Sequence, residues 1–145
     1  MRLAAHGVAM ELPRSWEGRI VRHAHAPATL HAANFPLPAD DGDFATKAVA
    51  DMPPDGVLVV LTEYEPDLAG TELFAERGIP ASLAADAAHP GALLRRLPGQ
   101  AGVQRFFTHA GRAFCLYVVV GSLPSRPQLV AKANALLRSV SIEAA

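Results

Sequence analysis

Apolar and polar residues alternate in the first part of the chain and give way later to continuous apolar runs, and each change of pattern marks an element. In GVAMELP (7–13), Val8, Met10 and Leu12 alternate with small or polar residues until Pro13 stops the run, the pattern of a half-buried strand ending in a turn. Trp16 opens a second extended segment, WEGRIVRHAH (16–25), which Pro27 breaks, and TLHAANF (29–35) follows as a third. The three are expected to pair antiparallel in chain order. In LPADDGDFATKAVADMPPDG (37–56), Asp43 stands where an N-cap would, and Phe44, Ala48, Val49 and Met52 form the apolar stripe of a short helix that Pro53 and Pro54 end.

VLVVLTEY (57–64) is rich in β-branched residues and apolar at both parities, which predicts a central strand covered on both faces. Thr71 is expected to cap a short helix over ELFAER (72–77), with Gly78 as its left-handed stop. From Ile79 to Gln100 the chain is punctuated by Ala, Pro and Gly, with a helical turn or two around PGALLRRL (90–97), where Pro90 suits the first turn. VQRFFTHAGRAFCLYVVVGS (103–122) predicts a hairpin whose Gly111 takes the left-handed bulge position of a type I turn. Thr108 is then expected opposite Arg112, Phe106 opposite Phe114 and Arg105 opposite Cys115. SRPQ (125–128) has the form of a capping box, followed by Leu129, Ala133, Leu136 and Val140 at helical spacing. The closing SVSIEA (139–144) is expected to return as a short strand.

Neither a repeat nor a linker interrupts these 145 residues, so one domain over 1–145 is expected, an α/β (α+β) fold. The content is 50% hydrophobic and 19% charged, which suits a folded core rather than disorder, and a net charge of −1 supplies no overall field for nucleic acid or an anionic membrane. His6, Gly7 and Glu11 interrupt the N-terminal apolar residues before they reach signal-peptide length, so a cytoplasmic location is expected. The longest apolar runs are far below the roughly 20 residues that span a bilayer, and no membrane insertion is expected.

The opening GVAMELPRSW, with Gly7, Leu12, Pro13 and Trp16, and the ending with Gly111, Arg112, Tyr117 and Ser139–Ile142 resemble in outline the superfamily of the PsbP accessory subunit of photosystem II, whose fold a Ran-binding nuclear import factor shares. The alanine-rich, lysine-poor style is also similar to that of small actinobacterial domains of unknown function. The resemblance implies an antiparallel sheet sandwiched between helices and an accessory or binding role, and it carries over no functional residue. Residues 66–102 lie outside it.

The candidate chemistry is sparse. His23 and His25, two apart, would share a face of an extended strand, a ligand spacing, with His31 as the third member of a metal site in a small metal-dependent enzyme or metal-binding protein. Pro27 lies between His25 and His31, and no acidic residue lies between Glu17 and Asp40, which favours histidines on a solvated strand face. The only cysteine, Cys115, sits in an apolar run and reads as an inert core thiol, and the chain lacks GxSxG and the Lys-Ser/Thr of a phosphate loop. Catalytic residues and cofactors are therefore not assigned.

Two charged features remain. Glu63 shares its parity with Val57, Val59 and Leu61, and Arg105 shares its own with Val103 and Phe107, so the two could form a buried bidentate pair, the alternative being two solvated strand ends. Arg95, Arg96 and Arg105 could form an anion or partner surface, the alternative being a solvated helix end. The function expected is a non-enzymatic binding or accessory module for an unidentified protein partner or a second copy of itself.

Overall fold

The computed structural model describes residues 1–144, an α+β arrangement of two antiparallel sheets and two α-helices. Strands β1 (Arg2–Ala5) and β2 (Val8–Glu11) form a hairpin, and the last strand, β8 (Ser141–Ile142), pairs with β2 to complete a small sheet ordered β1-β2-β8. The large sheet is built from β3 (Glu17–Val21), β4 (Thr29–Ala33), β5 (Val57–Glu63), β6 (Ala101–His109) and β7 (Arg112–Val120), in the order β3-β4-β5-β7-β6. Helix α1 (Thr46–Ala50) lies between β4 and β5, and α2 (Arg126–Leu137) between β7 and β8.

β5 and β7, the two apolar runs, lie inside the large sheet where both of its faces are covered, as residues apolar at both parities require. Their odd-parity β5 members Val57, Val59 and Leu61 and the even-parity β7 members Leu116, Val118 and Val120 face a core shared with α2 and the small sheet. Leu58, Val60, Tyr117 and Val119 face a second core with α1, Phe35 and Leu93. Leu129, Ala133, Leu136 and Val140, the stripe expected of the terminal helix, are all buried in the first core.

Several local expectations are corrected. β2 does not neighbour β3: a tight turn at His6–Gly7, with φ of 53° and 77°, folds β1 onto β2 and places both in the small sheet. The strand over 16–25 stops at Val21, so His23 and His25 lie in a turn, and His25 is left-handed at φ 64°. Asp43 does not cap α1. Asp41 does, its carboxylate accepting from the Lys47 and Ala48 amides, while Ala45 takes a left-handed conformation at the helix start. Thr71 caps nothing and gives its hydroxyl to the Leu68 carbonyl beside a single 3-10 turn, Glu72–Phe74. Ser125 likewise makes no side-chain cap, and α2 starts with Pro127 in its first turn.

The β6–β7 hairpin is shifted by one residue from expectation. Its loop is the two-residue Ala110–Gly111, both left-handed at φ 54° and 73°, so His109 faces Arg112, Phe106 faces Cys115 and Arg105 faces Leu116. A left-handed alanine is disfavoured locally, which is why the sequence pointed to a longer loop. Packing overrides it, because this register stacks Phe107 on Phe114 with ring centroids 5.6 Å apart.

The segment 66–100 has isolated 3-10 turns and two isolated bridges to β6, and it is also held by side chains of the regular elements. The Asn134 amide on α2 gives to the Leu83 carbonyl and accepts from the Leu83 amide, both at 2.9 Å. Thr108 accepts from Gly70 and gives to Phe74, the Tyr117 hydroxyl accepts from Leu94, and Arg126 gives to Ala88.

Candidate functional site

At one end of the core, where the small sheet meets the large one, β5 finishes with Glu63 and β7 begins with Arg112. Both side chains point to the first-core face, and in the β5–β7 register Glu63 stands opposite Phe114, one step from Arg112 on the same face. The pair is bidentate: Nε gives to Oε2 and Nη2 to Oε1, each at 2.8 Å, with side-chain exposures of only 7% and 13%. Arg112 further gives Nη2 to the His6 carbonyl and Nη1 to the Glu143 carbonyl, both at 2.9 Å, and its guanidinium carbon lies 5.4 Å from the Phe114 ring centre. One side chain thus ties the β1–β2 turn, the chain end after β8 and the large sheet together. Hydrogen bonding to Glu63 raises the Arg112 pKa against the opposing effect of burial, and the Glu63 and Glu143 charges add to the rise.

Gly7 is required twice here. Its φ is in the left-handed region, and a Cβ would stand 2.6 Å from Arg112 Nη1.

The Arg112–Glu63 pair forms part of the wall of an open cleft of about 490 Å³. Arg22 and His25 of the β3–β4 turn stand on one side, Tyr64, Glu65 and Pro66 beyond β5 on another. His25 and His6, both left-handed, border it. Tyr64 packs edge-on against Phe106 and at a tilt against Phe74, and burial raises its pKa, with smaller contributions from Cys115 and Asp43.

The three histidines of the 22–35 stretch are divided between places. His25 borders the cleft. His31, on β4, is buried and gives Nε2–H to the Asp43 carbonyl at 2.8 Å, while its Nδ1 has no partner. His23 Nε2 lies 4.0 Å from Asp43 Oδ1 at the mouth of a smaller depression, about 100 Å³, that Arg19 and His31 also line. Burial lowers the His31 pKa, the Asp43 carbonyl opposing and the nearby Arg19 charge adding to the fall. Among the described residues no group of three or more His, Cys, Asp or Glu is arranged to hold a metal ion.

Glu63 is therefore half of a buried pair, as its parity suggested, but its partner is Arg112 and not Arg105. The strand order is the reason: β7 lies between β5 and β6, so Arg105, although on the same face as Glu63, is one strand further out opposite Leu116, and its Nη1 gives to the neighbouring Gln104 carbonyl. Arg95 and Arg96 are exposed, and Arg95 borders a shallow depression with Phe44 and Tyr117 on the second-core face. Arg105 lies on the opposite face, beside Glu76 and Ile79, so the three arginines do not converge. Of the cleft residues, His25 stood out in the sequence only as a candidate metal ligand, and Arg22, Tyr64 and Glu65 left no signal, because turns carry no periodicity and their positions depend on long-range packing.

Cys115 is fully buried, and burial pushes its thiol up to about 11, a Gln104 contact opposing. No helix among the described residues is long and apolar enough to cross a membrane. No family model, curated protein or solved structure matches the chain.

Proposed function

We propose that the protein is a non-enzymatic binding module that takes a polar segment of a protein partner in the cleft beside the Arg112–Glu63 pair. The observation that supports this reading is the state of that pair. Arg112 spends Nε, Nη1 and Nη2 on the Glu63 carboxylate and on two backbone carbonyls, so the most buried charges at the cleft are committed to holding the fold. General acid–base or nucleophilic chemistry needs a group free to exchange a proton or attack, and neither member is free. What remains for a partner is the rim: the Arg22 cation, the His25 imidazole, the Tyr64 phenol and the Glu65 carboxylate, a mixed polar set of the kind that surrounds protein contacts. An accessory role of the PsbP-like kind, in the cytoplasm, agrees with this reading.

The test is site-specific photo-cross-linking in the producing cell, with the cross-linker at position 65. The expected result is one discrete adduct, abolished by Arg22→Glu and untouched by Arg138→Glu on the exposed end of α2. An adduct pattern indifferent to Arg22, or substrate turnover lost on Tyr64→Phe or His25→Ala, overturns the reading.

A further inference from the structure

The two edges of the large sheet are treated differently. β6 is capped at both ends of its outer side by the 66–100 segment: Gly78 gives to the Thr108 carbonyl, Thr108 to that of Glu76, and His89 and Gly102 exchange bonds at 3.0 and 3.1 Å. β3, the opposite edge, is open. Among the described residues the backbone of 17–21 bonds only to β4, and that of 2–5, the edge of the small sheet, only to β2. The two open edges lie on the same flank, because Leu3 of β1 sits over Gly18 of β3, close enough that a Gly18 Cβ would be 3.1 Å from Leu3 Cδ2. Between them the first core is incompletely covered, with Leu3, Trp16 and Ile20 packed against it but only half-buried.

An open edge normally carries charges that repel another strand. Here the charges select one, each of them first leaving a single bond within its own chain, Glu17 Oε1 that from the Leu37 amide and Arg19 Nη1 that to the Ala39 carbonyl. For a second copy to extend the sheet about a two-fold axis perpendicular to it, directly opposite residues must keep the same face, so the axis passes through a residue of β3. Centred on Glu17 it opposes Glu17 to Glu17, centred on Arg19 it opposes Arg19 to Arg19, and centred on Ile20 it leaves Arg19 opposite Val21 and runs past the end of the strand at Val21. Centred on Gly18 it sets Glu17 of each copy opposite Arg19 of the other on the second-core face, and Trp16 of each opposite Ile20 of the other on the first-core face. Gly18 meets Gly18 with no side chain between, and the half-buried seam closes.

We propose that the protein forms a two-fold dimer through β3, with its axis at Gly18, joining the two large sheets into one. The occupant of the open edge is a second copy of this chain, held by backbone bonds along β3, two Glu17–Arg19 pairs and the apolar seam.

The experiment is sedimentation equilibrium over a concentration series on the wild type, Glu17→Arg, Arg19→Glu, and an equimolar mixture of the two variants. The wild type is expected at twice the chain mass. Each variant alone, which opposes like charges across the axis, is expected at the mass of one chain with its urea midpoint still cooperative. The mixture restores opposite charges at both pairs and is expected to return to twice the mass, which an unfolded variant could not do. A wild type that stays at one chain mass throughout, variants that remain dimeric, or a mixture that fails to associate each overturns the proposal.

Discussion

Replacing Arg112 by methionine removes four hydrogen bonds from a side chain that is 7% exposed and leaves the Glu63 carboxylate, 13% exposed, without its counter-charge. Two terms decide the size of the effect. The stranded carbonyls belong to His6 and Glu143, both exposed residues on the cleft wall, so water replaces their donor at small cost. The stranded carboxylate has no such recourse, and removing one partner of a buried pair costs about 3–5 kcal/mol. In a chain of this length that corresponds to a Tm lowered by roughly 6–20 °C, at about 2–4 °C per kcal/mol. Urea unfolding followed by circular dichroism measures it, with the midpoint falling and the slope unchanged. The double variant Arg112→Met/Glu63→Leu is expected to recover most of the loss, because a buried ion pair as a whole contributes little beyond a well-packed apolar replacement. A single variant within about 0.5 kcal/mol of wild type, the range of ordinary surface changes, refutes the reasoning. So does a double variant as unstable as the single.

Three further outcomes are expected. Because burial lowers the His31 pKa in the folded chain, the unfolded state binds more protons just below the ordinary histidine value of about 6.5; stability is full above that value and falls as pH drops toward the folded pKa, and a His31→Gln variant should lack this component in urea midpoints measured across pH. Leu136, 1% exposed on the buried stripe of α2, should cost about 2–5 kcal/mol when changed to alanine, and an unchanged denaturation midpoint would show that this face does not hold the sheet. Cys115, with its thiol pushed up to about 11, should resist a disulfide reagent at neutral pH in the native protein and react at the rate of a free thiol in urea, as absorbance stopped-flow would show.

The parts of the fold legible in the sequence are those fixed by burial over several consecutive residues. VLVVL and FCLYVVV declare two-sided strands, and Leu129 to Val140 declares a one-sided helix, because each pattern repeats often enough to outweigh any single residue. What was lost depended on one residue in a turn. His6 and Ala110, both left-handed without being glycine, each close a tight hairpin against local preference, and the second moves every β6 residue one place along β7. Glu63 was legible as half a pair from its own parity, while its partner was not, because the order β5-β7-β6 sets Arg112 at the start of the adjacent strand and leaves Arg105 one strand further out. The cleft was illegible for a related reason: its walls come from turns at 6–7, 22–28 and 63–66 and from the chain end, which only the paired sheets bring together.

The pinning of residues 66–100 separates a segment's path from its own composition. Leu83 exchanges both its backbone groups with the Asn134 amide, as a strand residue would with a neighbouring strand, so a helix side chain acts as one rung of a ladder. The other fixed points, at Gly70, Phe74, Ala88 and Leu94, are also backbone groups, and their partners Thr108, Arg126 and Tyr117 belong to β6, α2 and β7. A backbone group is supplied by almost any amino acid. The side-chain fastenings of this long stretch therefore sit in four residues outside it, alongside its backbone bonds to β6 at Glu76, Gly78 and His89 and its own buried Phe74, Leu83 and Leu93. Drift at the exposed positions of the segment can remodel the surface it presents while leaving its course over the sheet unchanged, whereas one substitution at Asn134 would release Leu83 without touching the segment itself.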